Sequence, residues 1–280
     1  MTGSVTRGYP LTNFKSYATV INARNEEKFL PLTIDSIQKQ TINSEVIIVM
    51  NDGSSDMTGK IARNLGCFVI DLLDRGYSAV GRPELAKVIN TGFQAVEKIP
   101  FNIKYVLTVN ADHPLPKNYV ELLIEEMEKE PNLVVSSGFI EDEPYHPEMP
   151  RDSGRIYLWS FLKEIGFLPV KFGWGAYPCF KALQLGYKSK CFNHISSKKL
   201  RPTSKSREKH YLYGKAMRSL GYSLCYAIGR CFINKSWGML KGYFSDVELY
   251  EEDLREFVKN WQKQKFKARV KQIIKRFGRK

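Results

Sequence analysis

Asp52 follows Glu45 to Met50 and Asn51, and the apolar, β-branched make-up of that run predicts a buried strand. Behind it come Gly53, Ser54, Ser55 and Asp56, then Met57 to Leu65, which reads as a helix stopped by Gly66. A carboxylate in this place can accept hydrogen bonds from a nucleobase or a ribose, because open α/β sheets gather their ligands at the carboxyl ends of strands. Gly53 permits a tight turn, and Ser54 and Asp56 can cap the helix. Taken alone, the segment fits an ordinary strand–turn–helix corner equally well.

Two more predicted strands end in the same manner. Tyr17 to Asn22 runs into Ala23-Arg24-Asn25-Glu26-Glu27 and a helix to about Gln40. Lys104 to Val109 runs into Asn110-Ala111-Asp112-His113, with Pro114 and Pro116 keeping the chain extended beyond. The ordered set NARNEE, NDGSSDMT, Asn90-Thr91-Gly92 and Asn110-Ala111-Asp112-His113 resembles the family 2 glycosyltransferases over roughly residues 16 to 230. The resemblance implies the GT-A fold: an α/β domain whose mostly parallel sheet is covered by helices. It also implies transfer of a sugar from a nucleotide-diphospho-sugar, with inversion at the anomeric carbon. Asp52 and Gly53 would then hold the nucleotide, and Ala23, Asn25 and Glu26 would line the base and ribose pocket. Asn110 and Ala111 would reach the same donor. The loop and helix from Asp74 to Val96 carry Arg75, Arg82 and Lys87, cations suited to a diphosphate.

Asp112 occupies the position that coordinates a divalent ion in the resembling family. Hard carboxylate oxygens suit Mg²⁺ or Mn²⁺, which bridges the two phosphates and stabilises charge on the departing nucleoside diphosphate. Asn110 stands where the family pattern has its first aspartate, and an amide brings no charge. His113 could add a nitrogen ligand, better suited to Mn²⁺, or could be only a turn residue before Pro114.

The resembling enzymes place an acidic base just before a helix ending in Gly-Tyr. Here that helix is Cys179 to Leu185, and its entrance, Phe172 to Tyr177, has no carboxylate. Three explanations stay open. Asp152, Asp142 or Glu141 supplies the base; or the acceptor, such as a polyprenyl phosphate, is already an anion; or the transferase is degenerate. Arg201, within a predicted loop from His194 to His210, would close on the diphosphate. Ile156 to about Ile165 and Tyr211 to Leu220 read as helices.

The chain has 280 residues and a net charge of +14, and the charge is concentrated at one end. Residues 255–280 hold 11 Lys or Arg against one acid, leaving +4 for everything before them. Phe266, Val270, Ile273, Ile274 and Phe277 form one helical stripe there, a pattern fitting an anionic membrane surface. The expected divisions are an extension over 1–15, a transferase domain over 16–230 and a basic amphipathic tail over 231–280. No apolar run is long enough to span a bilayer and no signal peptide is evident, so a cytoplasmic protein, peripheral on the inner membrane face, is expected. Five cysteines without a CxxC pair argue against disulfide or zinc chemistry. A nucleotidyltransferase lacks its Gly-rich opening here, and no nucleic-acid-binding motif accompanies the charge. The remaining alternative is a non-catalytic GT-A module that binds a nucleotide sugar or a membrane surface, and the acceptor expected of an active enzyme is lipid-linked.

Overall fold

In the computed structural model, which describes residues 15–202 and 206–277 with side-chain surroundings as far as residue 268, four adjacent strands run parallel. They are β1 (Tyr17–Ala23), β2 (Val46–Asp52), β3 (Phe68–Leu72) and β4 (Tyr105–Asn110). β5 (Leu133–Ile140) and β7 (Lys188–Ser197) are parallel to each other, and β6 (Arg155–Leu158) lies antiparallel between β4 and β5. The sheet order is β3-β2-β1-β4-β6-β5-β7, so the chain reverses its direction of build between β1 and β4. In open α/β sheets a crevice opens at that switch, outside the carboxyl ends of the strands.

Each face of the sheet has its own core. Alternation along β1 sends Tyr17 and Ile21 one way, against Leu30, Ile34 and Ile37 of α1 (Leu30–Gln38) and Leu123 and Ile124 of α4 (Tyr119–Lys129). Ala18 and Val20 point the other way, toward Val88 and Phe93 of α3 (Glu84–Glu97). Gly92 lets α3 approach this closely, since a Cβ there would come within 2.5 Å of Val20 Cγ1. Asn90 of the same motif clamps the backbone of Leu168, donating to its oxygen at 2.7 Å and accepting from its nitrogen at 3.1 Å. Both motif residues therefore position α3, and neither forms part of the crevice. α2 (Thr58–Asn64) follows β2 as expected.

Three expected elements differ. Ile156 to Leu158 is strand, not helix: Ile156 and Tyr157 are fully buried and pair with Leu107 and Val106 on one side and Ser136 and Val135 on the other. The helix that follows, α5 (Trp159–Glu164), is short. The expected loop from His194 to His210 begins as the end of β7 and finishes as the start of α7 (Arg207–Ser219), capped by Ser206, whose hydroxyl accepts from Lys209 N. A domain boundary at residue 231 falls inside α8 (Leu224–Ile233), which with α9 (Trp237–Tyr243) packs on α7.

The terminal helix α10 (Glu252–Phe277) starts as part of the body. Leu254 and Val258 are buried with Tyr177 and Phe180 of α6 (Tyr177–Gln184), each such side chain contributing about 2 kcal/mol. Of the expected apolar stripe, Phe266 is exposed, while Val270, Ile273, Ile274 and Phe277 lie outside the described side chains.

Candidate active site

The chain leaves β1 through Ala23, which is buried, and turns at Asn25 with φ +54°. That turn is held by the segment after β2. Asn25 N donates to Ser54 Oγ at 3.0 Å, Asn25 Oδ1 accepts from Ser55 N at 2.8 Å, and Glu26 N donates to Thr58 Oγ1 at 2.8 Å. The two polar segments are thus one structure, which fixes Glu26 at the mouth of the crevice.

Asp52 lies buried at the end of β2 with both carboxylate oxygens clasped by Arg75, whose Nη1 is 2.7 Å from Oδ2. Arg24 donates to the main-chain oxygens of Asp52 at 2.5 Å and Gly53 at 3.0 Å, and to Asp74 Oδ1 at 2.6 Å. Asp52 therefore anchors Arg75 and does not face the crevice bare. Gly53, with φ +65°, allows Asp74 to lie against this turn.

At the end of β4, Asp112 meets Arg201 arriving from beyond β7. Arg201 Nε donates to Asp112 Oδ2 at 2.7 Å, Nη2 pairs with Glu26 Oε1, and the guanidinium lies 5.2 Å from the centroid of the Phe29 ring. Leu200 N donates to the main-chain oxygen of Asp112 at 2.9 Å, which holds the segment there. Glu26 Oε2 is buried with no hydrogen-bond partner among the described residues, and burial pushes the Glu26 carboxyl up despite Arg201. Two carboxylates from different strand ends thus share one cation, with a carboxylate oxygen left over. Among the described residues no group of three or more His, Cys, Asp and Glu side chains forms a closed metal cage. An ion with a single firm protein carboxylate, Asp112, and its other positions left to phosphate and water fits this donor set. Asn110 and Ala111 lead into it from β4.

His113 does not join it. The imidazole is fully buried, Nδ1 lies 2.7 Å from Ser153 Oγ and Nε2 lies 2.9 Å from Ser197 Oγ. With both nitrogens occupied, His113 braces the β4 end against the β5–β6 connection and β7, so the expectation of a metal ligand is corrected. Burial, reinforced by Lys199, pushes it down to about 4. Below its ordinary value of 6.5 the unfolded chain takes up a proton that the folded chain refuses. The neutral imidazole's contribution is therefore complete above that pH and lost as pH falls toward 4. In calorimetry at stepped pH, the stability gap between the native chain and His113→Gln is expected to narrow by roughly 3 kcal/mol across that interval.

The turn without a carboxylate, Phe172 to Tyr177, has one beside it in space. A Cβ built on Gly175 would stand 3.9 Å from both Cβ and Oδ2 of Asp152. Arg155, buried to 2% exposure, joins the two segments. It donates to the oxygens of Arg151 at 2.8 Å and Gly175 at 2.7 Å, and also to Pro150 O. Thr108 Oγ1 of β4 donates to the main-chain oxygen of Asp152 at 2.9 Å, tying this residue to the strand that leads into Asp112.

The model of glycosyl transferase family 2 matches residues 19–183. The chain belongs to that family. A 4,4'-diaponeurosporenoate glycosyltransferase of Staphylococcus aureus (strain bovine RF122 / ET3-1) is 34% identical over 155 residues, covering 55% of this chain and 38% of that protein. The chain thus matches well under half the length of the curated relatives. Among solved structures, a mannosyltransferase of Pyrobaculum calidifontis in complex with GDP-Man and Mn²⁺ has a TM-score of 0.58 at 12% identity, covering 81% of this chain and 72% of that one. Glucosyl-3-phosphoglycerate synthase from Mycobacterium tuberculosis with Mn²⁺, UDP and glucosyl-3-phosphoglycerate has a TM-score of 0.55 at 15% identity, covering 72% and 77%. At these identities the likeness establishes the fold, which is GT-A.

Within that family frame the remaining expected residues divide. Arg82 pairs with Glu208 of α7 at 2.7 Å, and its main-chain oxygen accepts from Trp174 Nε1 at 3.0 Å. It links the loop before α3 to the Gly175 turn. Lys87 stands on the exposed side of the first turn of α3, and no described contact joins it to the carboxylates. Asp142 is exposed in the turn after β5 with φ +66°, and Glu141 is exposed beside it, so neither lies against the Gly175 turn as Asp152 does. Arg24, Arg155, Ser153 and Ser197 go beyond the expected set. Arg24 lies inside NARNEE and Arg155 closes RDSGR, so proximity to the motifs was their signal. Ser197 had none.

Proposed function

We propose that the protein moves a sugar from a nucleotide-diphospho-sugar to a membrane-held acceptor, assisted by Mg²⁺ or Mn²⁺ and with inversion. The observation that carries this reading is the meeting of Asp112, Glu26 and Arg201 at the switch between β1 and β4, with Asp152 and Gly175 adjoining. Asp112 would hold the ion, which supplies Lewis-acid stabilisation of the departing diphosphate when bound. Arg201 exchanges its carboxylate partners for phosphate oxygens, a bidentate match for a guanidinium. Arg75, held by Asp52, and the turn from Ala23 to Glu26 would receive the nucleoside, with Arg82 next to them. Asp152 fills the place left by Gly175 and would accept the proton of the acceptor. That the matched solved structures carry GDP-Man or UDP with Mn²⁺ supports donor and ion alike.

A second reading concerns the nucleophile. The matched relatives act by name on diaponeurosporenoate, an acid anion. An acceptor already ionised needs no base, and Lys199, Arg201 and Lys209 bring positive charge to this end of the crevice. Burial pushes the Lys209 ammonium down, with Lys199 and Arg201 adding to it and Asp112 and Asp152 opposing it.

Thermal unfolding with UDP- and GDP-sugars, each with and without Mn²⁺, tests the donor reading. One nucleotide sugar at about a hundred times its Kd is expected to raise Tm by about 5 °C. The rise should require Mn²⁺ or Mg²⁺. Absence of any donor-dependent rise in every metal condition would sink the proposal.

A further inference from the structure

α8 is amphipathic in the inverted sense. Its small residues Ala227 and Cys231 face inward and are buried, while Leu224, Ile228 and Phe232, at i, i+4 and i+8, face outward. The turn into α9 continues the outward face. Phe232, Ile233, Trp237 and Phe244 are exposed at 68%, 76%, 67% and 67%, and the Phe232 and Trp237 rings meet at 6.1 Å.

This exposure is built into the packing. α9 crosses α7 backbone to backbone: a Cβ on Gly214 would fall 2.0 Å from Met239 O, and one on Gly242 would fall 1.9 Å from Tyr211 O. Met239 and Tyr243 fill the inner side of the bundle, so Trp237 and Phe244 are turned outward. Apolar patches of this kind on a surface mark an interaction face.

The charge around the patch selects the occupant. Residues 209–245 hold six Lys or Arg and no Asp or Glu. Lys235, at the tip between α8 and α9, and Lys241 are both exposed. Exposed Trp, Phe and Ile on a segment rich in cations suit the headgroup region of an anionic bilayer, where aromatic rings sit at the interface and lysines meet lipid phosphate. A second copy of the chain would bring the same cations against these, which opposes self-pairing.

The geometry points to the α8–α9 hairpin as the membrane-docking face of this protein, its partner the surface of an anionic lipid bilayer. α7 carries the hairpin and begins at Arg207, beside the Arg82–Glu208 pair that borders the crevice. Docking there would bring the crevice to the lipid surface, and only this consequence rests on the acceptor proposed above. The binding itself requires no donor or acceptor.

The test is co-sedimentation of the full chain with vesicles of equimolar phosphatidylcholine and phosphatidylglycerol, and with phosphatidylcholine alone. The chain is expected to bind the anionic vesicles, and the combined change Phe232→Ser, Ile233→Ser, Trp237→Ser should weaken partitioning by about a hundredfold. Lys235→Gln with Lys241→Gln, which disturbs nothing buried, should weaken it roughly tenfold. Lys265→Gln with Lys267→Gln on α10 should change it by less than about threefold. Each variant is first required to keep the native melting temperature and donor-induced shift in solution, which reads the transferase proposal separately. Vesicle binding unchanged in both hairpin variants overturns the inference. So does a native chain that ignores anionic vesicles, or a dimer that the triple change converts to monomer.

Discussion

Asp112→Asn is expected to lower kcat/KM for sugar transfer by about a thousandfold, equivalent to about 4 kcal/mol of transition-state stabilisation. The side chain keeps its shape and loses its charge, so the fold is unaffected while the one firm ligand for the ion becomes a neutral amide beside the already neutral Asn110. The Arg201 contact at 2.7 Å also changes character, from an ion pair to a hydrogen bond onto an amide oxygen. Raising the Mn²⁺ concentration should recover part of the loss if it lies in ion binding. Donor-induced thermal stabilisation should lose its metal dependence in the same variant. Wild-type turnover by Asp112→Asn would remove the ion from the mechanism.

Much of this site is legible in the sequence, because each part is local. A strand that buries both faces reads as an apolar run, and the polar residues following it report where the chain emerges from the sheet. Three such corners, ending in Glu26, Asp52 and Asp112, were therefore visible as sequence. Their convergence was not local, yet parallel strands joined by single helices leave few other ways to arrange them.

The errors arose where long-range pairing decides. Arg155–Leu158 has too few residues to show a period, and only burial between two antiparallel neighbours makes it a strand. His113 beside Asp112 suggested a second metal ligand, but its partners Ser153 and Ser197 lie 40 and 84 residues further on. The tail's apolar stripe drew attention to α10, while the outward-facing large residues of α8 could not be distinguished from a core stripe. A helix pattern shows that one face is apolar; it does not show which way that face is turned.

Asp152→Asn is expected to lower kcat by about 10²–10⁴-fold with a hydroxyl acceptor, and to leave the donor's thermal stabilisation intact. The turn from Phe172 to Tyr177 holds no carboxylate of its own, and Asp152 Oδ2 stands 3.9 Å from the point where a Cβ on Gly175 would be. A carboxylate can thus reach the same volume from the β5–β6 connection, held there by Arg155 and by Thr108 of β4. The amide cannot accept a proton, so the loss should appear in kcat and only weakly in KM. Gly175→Asp added to the Asn variant places a carboxylate beside a neutral amide and should restore part of the lost kcat. If Asp152→Asn changes kcat by less than about threefold, proton removal contributes little. The acceptor then arrives ionised. The size of this one effect therefore identifies the chemical class of the nucleophile before the acceptor itself is known.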